Sequence, residues 1–172
     1  MTHNIPVWWH ACGIVLVVAL FLLYRSAGSA NILVVCLTRL PGVVLHELAH
    51  LLTGILLRAQ PAGFSLIPQR RGNGRWTLGS VAFRRVTAFN AVPIAFAPLG
   101  LVPLAYYLYR HWFGWLPVTL ENTLFFYIAV FLLVCNALPS RQDVRIACNW
   151  KSVLLYGSVS GAAGYVWFHY YA

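Results

Sequence analysis

Two histidines four residues apart are the most informative feature of this sequence. The 172 residues include three acidic ones, and one of these, Glu47, follows His46 and precedes His50 in an H-E-x-x-H pattern. Residues four apart share one face of a helix, so both imidazoles can reach a single metal ion. Glu47 lies about 100° around the helix from His46, where its carboxylate can reach a water beside the metal. The pattern predicts one bound zinc ion (Zn2+) per chain, with Glu47 as general base.

A zinc site that performs chemistry has three protein ligands and one open position. The four cysteines stand singly, which argues against thiolate ligands. Asp143 follows the end of a later apolar run that returns to the level of His46, and Pro139 frees the chain there to turn inward. We therefore predict Asp143 as the third ligand. Ser140 and Asp143 also match a capping box opening a helix Arg141–Trp150, so Asp143 could instead cap that helix, or do both.

The composition indicates a chain embedded in lipid. Apolar residues make up 60% of the sequence and charged residues only 9%, far less charge than a soluble domain carries. We predict an all-α polytopic membrane protein that forms a single domain over residues 1–172. The net charge of +9 does not indicate nucleic-acid binding, because the arginines cluster at the ends of apolar runs. The sequence predicts no particular oligomeric state.

Five apolar runs each approach the roughly 20 residues that a helix needs to cross hydrocarbon. They are Val7–Tyr24, Ile32–Leu57, Ala88–Tyr109, Leu120–Leu138 and Ser152–Tyr170. We expect the first run to be retained as a span, since no lysine or arginine precedes it as in a signal peptide.

The distribution of positive charge predicts which loops are cytoplasmic. If five spans alternate, the N-terminus and the loops 58–86 and 140–151 share one side, which carries nine lysines and arginines against three on the other. The positive-inside rule then makes the N-terminus cytoplasmic and the C-terminus external. About seven residues separate His50 from the cytoplasmic end of its run, roughly 10 Å at 1.5 Å per residue. The metal site is therefore expected in the cytoplasmic third of the membrane.

The loop between the second and third runs predicts a small β-hairpin. Phe64–Pro68 and Arg75–Phe83 are β-prone and flank an Asn73-Gly74 turn signal. Pro68 indicates that the first strand ends early or lies at an edge.

The sequence resembles the site-2 protease family of intramembrane zinc metalloproteases, in its minimal bacterial form. That family places H-E-x-x-H on one transmembrane helix and an N-x-x-P-x-x-x-x-D-G signature on a later one. Here His46 to His50 match the first motif, while Asn136, Pro139 and Asp143 follow the second, and the similarity covers a core of residues 32–143. Two features depart from the family: Asp143 follows Asn136 by seven positions instead of eight, and Val144 replaces the glycine.

The resemblance implies an enzyme, a zinc-dependent endopeptidase in a bacterial inner membrane that cuts a membrane-anchored protein substrate in or near its transmembrane segment. His46, His50 and Asp143 would hold zinc, and Glu47 would transfer the proton. Asn136 would be a catalytic residue that hydrogen-bonds the substrate backbone or stabilises the oxyanion; the alternative is an amide that serves packing or the helix end. The alternative function is a non-catalytic zinc-binding membrane scaffold or a transporter-like protein. Transporters usually contain internal repeats, and none is visible here.

Overall fold

A computed structural model describes residues 5–26, 32–67, 69–70 and 76–171, without the side chains of residues 69, 70, 76, 77 and 171. The chain is mostly helical, with a small antiparallel β-structure between its second and third helices. The helices are α1 (Val7–Ser26), α2 (Ile32–Leu56), α3 (Ala88–Phe96), α4 (Leu101–Trp115), α5 (Leu120–Cys135), α6 (Arg141–Ala147) and α7 (Trp150–Tyr171). The strands are β1 (Pro61–Ser65), β2 (Gln69–Arg70), β3 (Trp76–Thr77) and β4 (Ser80–Phe83).

Three segments among the described residues are long and apolar enough to cross a membrane. They are α1, α2 and the α3–α4 segment Ala88–Trp115. Helix α5 is apolar but has only 16 residues. The chain is thus consistent with a membrane protein, whereas the prediction of five spans is not confirmed.

Helix α2 is the centre of the fold and has two different faces. One face carries the two histidines and packs on other helices, with His50 only 5% exposed. The opposite face presents apolar side chains outward, including Leu37, Leu52 and Leu56, which are 80%, 65% and 80% exposed. Exposing an apolar stripe of this size to water is unfavourable, whereas contact with lipid is not.

The third predicted run is divided by a short 3-10 helix, Ala97–Gly100, between α3 and α4. Pro98 lies within this turn and has no backbone N–H, so the regular α-helical hydrogen bond to the carbonyl of Ile94 cannot form. The α3–α4 segment packs antiparallel to α2. The carbonyl of Ile94 contacts His50, whereas Leu101 and Ala105, later in the segment, pack with Leu45, which is earlier in α2. The 3-10 turn between α3 and α4 therefore lies at the level of the histidines.

The predicted hairpin is present with different strand ends. Strand β1 pairs antiparallel with β4, with Ser65 opposite Ser80, and β2 pairs with β3. Strand β1 starts earlier than predicted because Arg58 and Gln60 adopt a φ of 54° and turn the chain out of α2 directly into the strand. Pro68 and the predicted turn at residues 71–74 lie outside the described residues.

The predicted helix Arg141–Trp150 is shorter than expected. Helix α6 ends at Ala147, and the Asn149 side chain accepts a hydrogen bond from the backbone N–H of Ser152, at 3.0 Å, to cap the start of α7. The first two turns of α7 are attached to α3 by hydrogen bonds from Ser152 and Tyr156 to backbone carbonyls. Residues 157–170 are exposed.

Helix α1 runs in the same general direction as α5. Near the start of α1, Gly13 lies against Tyr127, and His10 hydrogen-bonds the same tyrosine. Near its end, Tyr24 contacts Phe131 and Asn136, further along α5. Five alternating spans would make these two helices antiparallel, so the packing does not support that part of the predicted topology.

The parallel packing predicts which cysteines can be cross-linked. In a chain lacking the four native cysteines, Gly13→Cys with Tyr127→Cys should form a disulfide under mild oxidation, because removing the tyrosine ring frees the space between two adjacent backbones. The matched control retains native Cys135 as the partner of Gly13→Cys. In each variant, the disulfide is detected by its change in gel mobility without reductant. A disulfide with Cys135 and none with position 127 would show antiparallel packing.

Candidate metal centre

The two histidines of α2 face each other one helical turn apart. Their ring centroids are 4.7 Å apart, and the Nε2 atoms are separated by 3.1 Å. The helix forms here because apolar residues surround the motif on both sides, and it places both rings on the protein-facing side.

Asp143 is brought to the histidines by the break between α5 and α6. Its Oδ2 lies 3.4 Å from Nε2 of His46, and its Oδ1 lies 3.3 Å from Nε2 of His50. The same carboxylate accepts the backbone N–H of Ser140 at 2.7 Å, and Ser140 Oγ accepts the N–H of Asp143 at 3.2 Å. The predicted capping box is confirmed, and the cap holds Asp143 beside both histidines.

Backbone carbonyls orient both imidazoles. Nδ1 of His46 donates to the carbonyl of Asn136 at 2.8 Å, and Nδ1 of His50 donates to that of Ile94 at 2.7 Å. Both Nδ1 atoms must carry hydrogen to make these bonds, which assigns the tautomers. In a neutral ring of this tautomer, Nε2 has a free lone pair.

Prolines leave these two carbonyls available. The α-helical partner of the Ile94 carbonyl would be the N–H of Pro98, and a turn closing on the Asn136 carbonyl would use the N–H of Pro139. Proline has no N–H, so each carbonyl keeps acceptor capacity that a histidine uses, and the Ile94 carbonyl also accepts from the N–H of Ala97.

The three inward-facing groups can hold a metal ion: His46, His50 and Asp143 each offer one ligand atom, all within 4.8 Å of one another. Their closest atoms are 3.1, 3.3 and 3.4 Å apart. Ligands at 2.0–2.1 Å from a tetrahedral ion would be separated by about 3.3 Å. Two nitrogen lone pairs and a carboxylate at this distance repel each other unless a proton or a metal cation lies among them. The donor set therefore fits a small divalent metal.

The charge state of Asp143 also suits a metal ligand. Burial raises the pKa of its carboxyl, whose side chain is only 13% exposed. Contacts with the two imidazoles, which stabilise the carboxylate when a ring is protonated, and the hydrogen bond with Ser140 outweigh that effect, and the pKa lies below its ordinary value. Asp143 is consequently ionised at neutral pH.

Glu47 lines the same cleft, and its carboxylate is not held by the described neighbouring side chains. Among the residues that the structure describes, no hydrogen bond or ion pair holds its carboxylate, although the cleft places it beside the histidines. The backbone of Gly79, just before β4, lies against it: a Cβ added there would be 2.8 Å from Cγ and 3.3 Å from Oε1 of Glu47. The hairpin thus packs directly over the proposed base.

The cleft has a volume of about 540 Å³, within the usual range for ligand pockets. Besides the acidic and histidine residues, it is lined by Tyr24, Leu78, Ser80, Asn136 and Arg141. The cleft is partly open and therefore accessible to water.

Asn136 is at the site but not among the three converging groups. Its Nδ2 donates to the carbonyl of Leu132 at 2.8 Å, and its Oδ1 accepts from the Tyr24 hydroxyl at 3.3 Å. Its backbone carbonyl, not its amide, contacts His46. The predicted contact of the amide with a substrate stays a prediction.

Sequence inspection did not identify several residues that shape the centre. The carbonyl of Ile94, the hydroxyl of Tyr24 and the small size of Gly42 and Gly79 all depend on tertiary packing. Pro98 was the only available signal for one of them, since a proline inside an apolar run predicts an unpaired carbonyl four residues earlier.

Comparisons with models of protein families, with curated proteins and with solved structures found no match to this chain. The function is therefore inferred from the geometry of the site.

The donor geometry predicts about one divalent cation per chain in detergent-purified protein. His50→Ala should lose it, because two remaining donors leave a small ion poorly coordinated. Metal analysis and competition with a chromophoric chelator measure content and affinity. His111→Ala is the matched control, since this histidine stacks on Trp115 in α4, away from the cleft. Stoichiometric metal in the His46→Ala, His50→Ala double variant would exclude the site.

The dual contacts of Asp143 lead to a separate prediction. Asp143→Asn retains an acceptor for the Ser140 N–H but loses the negative charge, so metal affinity should fall at least tenfold, roughly. Ser140→Ala is the complementary variant: it should cost about 1 kcal/mol of stability through the cap and leave most metal affinity intact. Unchanged affinity in Asp143→Asn would mean that the carboxylate only caps α6.

Proposed function

We propose that this chain is an intramembrane zinc metalloprotease. The observation that carries the proposal is the convergence of two Nε2 lone pairs and an ionised carboxylate at 3.1–3.4 Å, beside a glutamate with no hydrogen bond or ion pair among the described residues. A carboxylate without a partner beside the candidate metal ligands does not stabilise the fold, which favours a catalytic role for it.

Zinc is the metal that fits this donor set best. Two imidazoles and one carboxylate form the protein ligand set of many hydrolytic zinc sites. Zinc held by these residues would act as a Lewis acid that polarises a carbonyl oxygen and increases the acidity of water.

The protein residues have separate roles in metal binding and proton transfer. His46, His50 and Asp143 fix the position of the metal, and the carbonyls behind the histidines fix their orientation. Glu47 takes a proton from the attacking water and delivers it to the amine nitrogen as the peptide bond breaks. The cleft keeps the reacting groups largely out of the lipid while admitting water.

The proposed substrate is a membrane-anchored protein. The histidines lie on an apolar helix with an outward lipid-facing stripe, so the peptide bond must reach them from within or beside the bilayer. A transmembrane helix buries its own peptide groups in hydrogen bonds and must unwind locally before attack. Among the described strands β4 pairs only with β1, so its other edge is available to pair with an unwound substrate.

The proposed orientation places the hairpin in the cytoplasm, in a bacterial inner membrane. The nine positive charges of loops 58–86 and 140–151 support this side. Met1–Pro6 contain no lysine or arginine, so the charge rule does not assign the N-terminus. Parallel packing with α5 supports an external start for α1, in place of the cytoplasmic N-terminus that five alternating spans would require.

The length of the chain limits how α1 inserts. Six Cα–Cα steps from Ser26 to Ile32 reach at most about 22 Å, less than the roughly 30 Å of bilayer hydrocarbon. Helices α1 and α2 therefore do not both cross completely in one direction. We propose four crossing segments, formed by α2, the α3–α4 segment, α5 together with its flanking residues, and α7, and an α1 that enters from the external side and ends inside the bilayer. The C-terminus is then external.

The proposal predicts that Glu47→Gln abolishes proteolysis while keeping zinc, because a neutral amide cannot act as a base. Fluorescent single-span peptides with a Gly-Pro helix break, reconstituted with the protein in lipid vesicles, serve as probes. Glu121→Gln is the matched control, since Glu121 lies in the first turn of α5. Cleavage by Glu47→Gln at the wild-type rate would contradict the assigned role. Zinc binding with no cleavage by the wild type would favour the alternative, a non-catalytic zinc-binding scaffold.

A further inference from the structure

We infer that Tyr24 of α1 is a positioning residue of this centre, acting on His46 through Asn136. The inference rests on the proposed function, because it assigns a residue to the same metal site. Tyr24 lies outside residues 32–143, which carry the two motifs, and its place at the end of an apolar run predicts only an interfacial aromatic residue. Its hydroxyl is the link between α1 and the residue whose carbonyl orients His46.

Arg39 fixes Tyr24 from α2. The last carbonyls of α1 have no partners within their own helix, and the Arg39 guanidinium donates to that of Tyr24 at 2.7 Å. The same guanidinium lies 4.8 Å above the tyrosine ring, and the edge of the ring packs on Phe131. A charged side chain inside an apolar helix is costly, and here it holds one tyrosine in a single orientation.

The Asn136 amide is held from three sides. Its Nδ2 donates to the carbonyl of Leu132, so its Oδ1 points to the Tyr24 hydroxyl and accepts from it. On the third side lies Gly42, where any Cβ would overlap the amide. Of these three constraints, the Tyr24 hydroxyl is the one that originates outside α2 and α5.

The position of Asn136 matters because its backbone carbonyl accepts the Nδ1 hydrogen of His46 at 2.8 Å. A shift or rotation of this residue lengthens that bond and releases the imidazole from the orientation that aims Nε2 at the metal. Outer partners of metal-bound histidines commonly change metal affinity or activity by 10- to 100-fold, roughly. Tyr24 is one bond further out, so we expect about the lower end of that range.

The test compares Tyr24→Phe with Tyr127→Phe in the full-length chain. Tyr24→Phe keeps the ring, its contact with Phe131 and the Arg39 interaction, and removes only the hydroxyl. Tyr127→Phe removes the other hydroxyl bond between α1 and α5, the one with His10, away from the metal site. Zinc affinity, the visible spectrum of the cobalt-substituted protein, and kcat and KM on the single-span peptide are measured for each.

Tyr24→Phe should weaken zinc binding and lower kcat by about tenfold each, alter the cobalt spectrum and leave KM within about twofold. Tyr127→Phe should change none of these. In an Asn136→Ala background, Tyr24→Phe should have no further effect, since the path runs through Asn136. Unchanged zinc affinity and cobalt spectrum in Tyr24→Phe, equal effects of the two tyrosine variants, or additivity with Asn136→Ala would each overturn the inference. A wild type that binds zinc but cuts no peptide would refute the protease proposal, while the zinc and cobalt measurements still decide the role of Tyr24.

Discussion

The whole centre depends on two hydrogen bonds from imidazole Nδ1 atoms to backbone carbonyls. Each bond requires the hydrogen to be on Nδ1, so in the neutral ring Nε2 carries a lone pair that faces Asp143. The carbonyls come from different places, Ile94 in α3 and Asn136 at the end of α5, and both are left available by a proline further along the chain. The 3-10 turn between α3 and α4 and the break after α5 therefore shape the candidate metal site as well as the helical architecture.

Local patterns in the sequence predict much of this arrangement. The spacing of His46 and His50 is sufficient to place them on one helix face, because helix geometry alone decides it. The Ser140–Asp143 pattern predicts the start of α6, and the Asn-Gly signal predicts a hairpin whose strands the structure contains. In each case the information lies in one short continuous stretch of the sequence.

Packing directions could not be predicted in the same way. An apolar run indicates a helix suited to lipid, but lipid provides no directional preference among helices, and small residues and polar contacts decide how they pack. For α1, Gly13 beneath Tyr127 and Tyr24 beside Asn136 set the parallel direction, and neither contact has a signal in composition or periodicity. The role of Tyr24 follows from that direction: in an antiparallel α1 it would lie far from the metal.

The helix cap explains how Asp143 reaches both histidines from its place seven residues after Asn136. A carboxylate on a flexible loop would have no fixed position. Here the backbone N–H of Ser140 donates a hydrogen bond to the carboxylate at 2.7 Å, so the start of α6 positions it. Its two oxygens lie 3.4 Å from Nε2 of His46 and 3.3 Å from Nε2 of His50. Because the cap orients the carboxylate, the chain needs no turn after Asp143, and Val144 continues the helix, its N–H bonded to the Ser140 carbonyl at 3.1 Å.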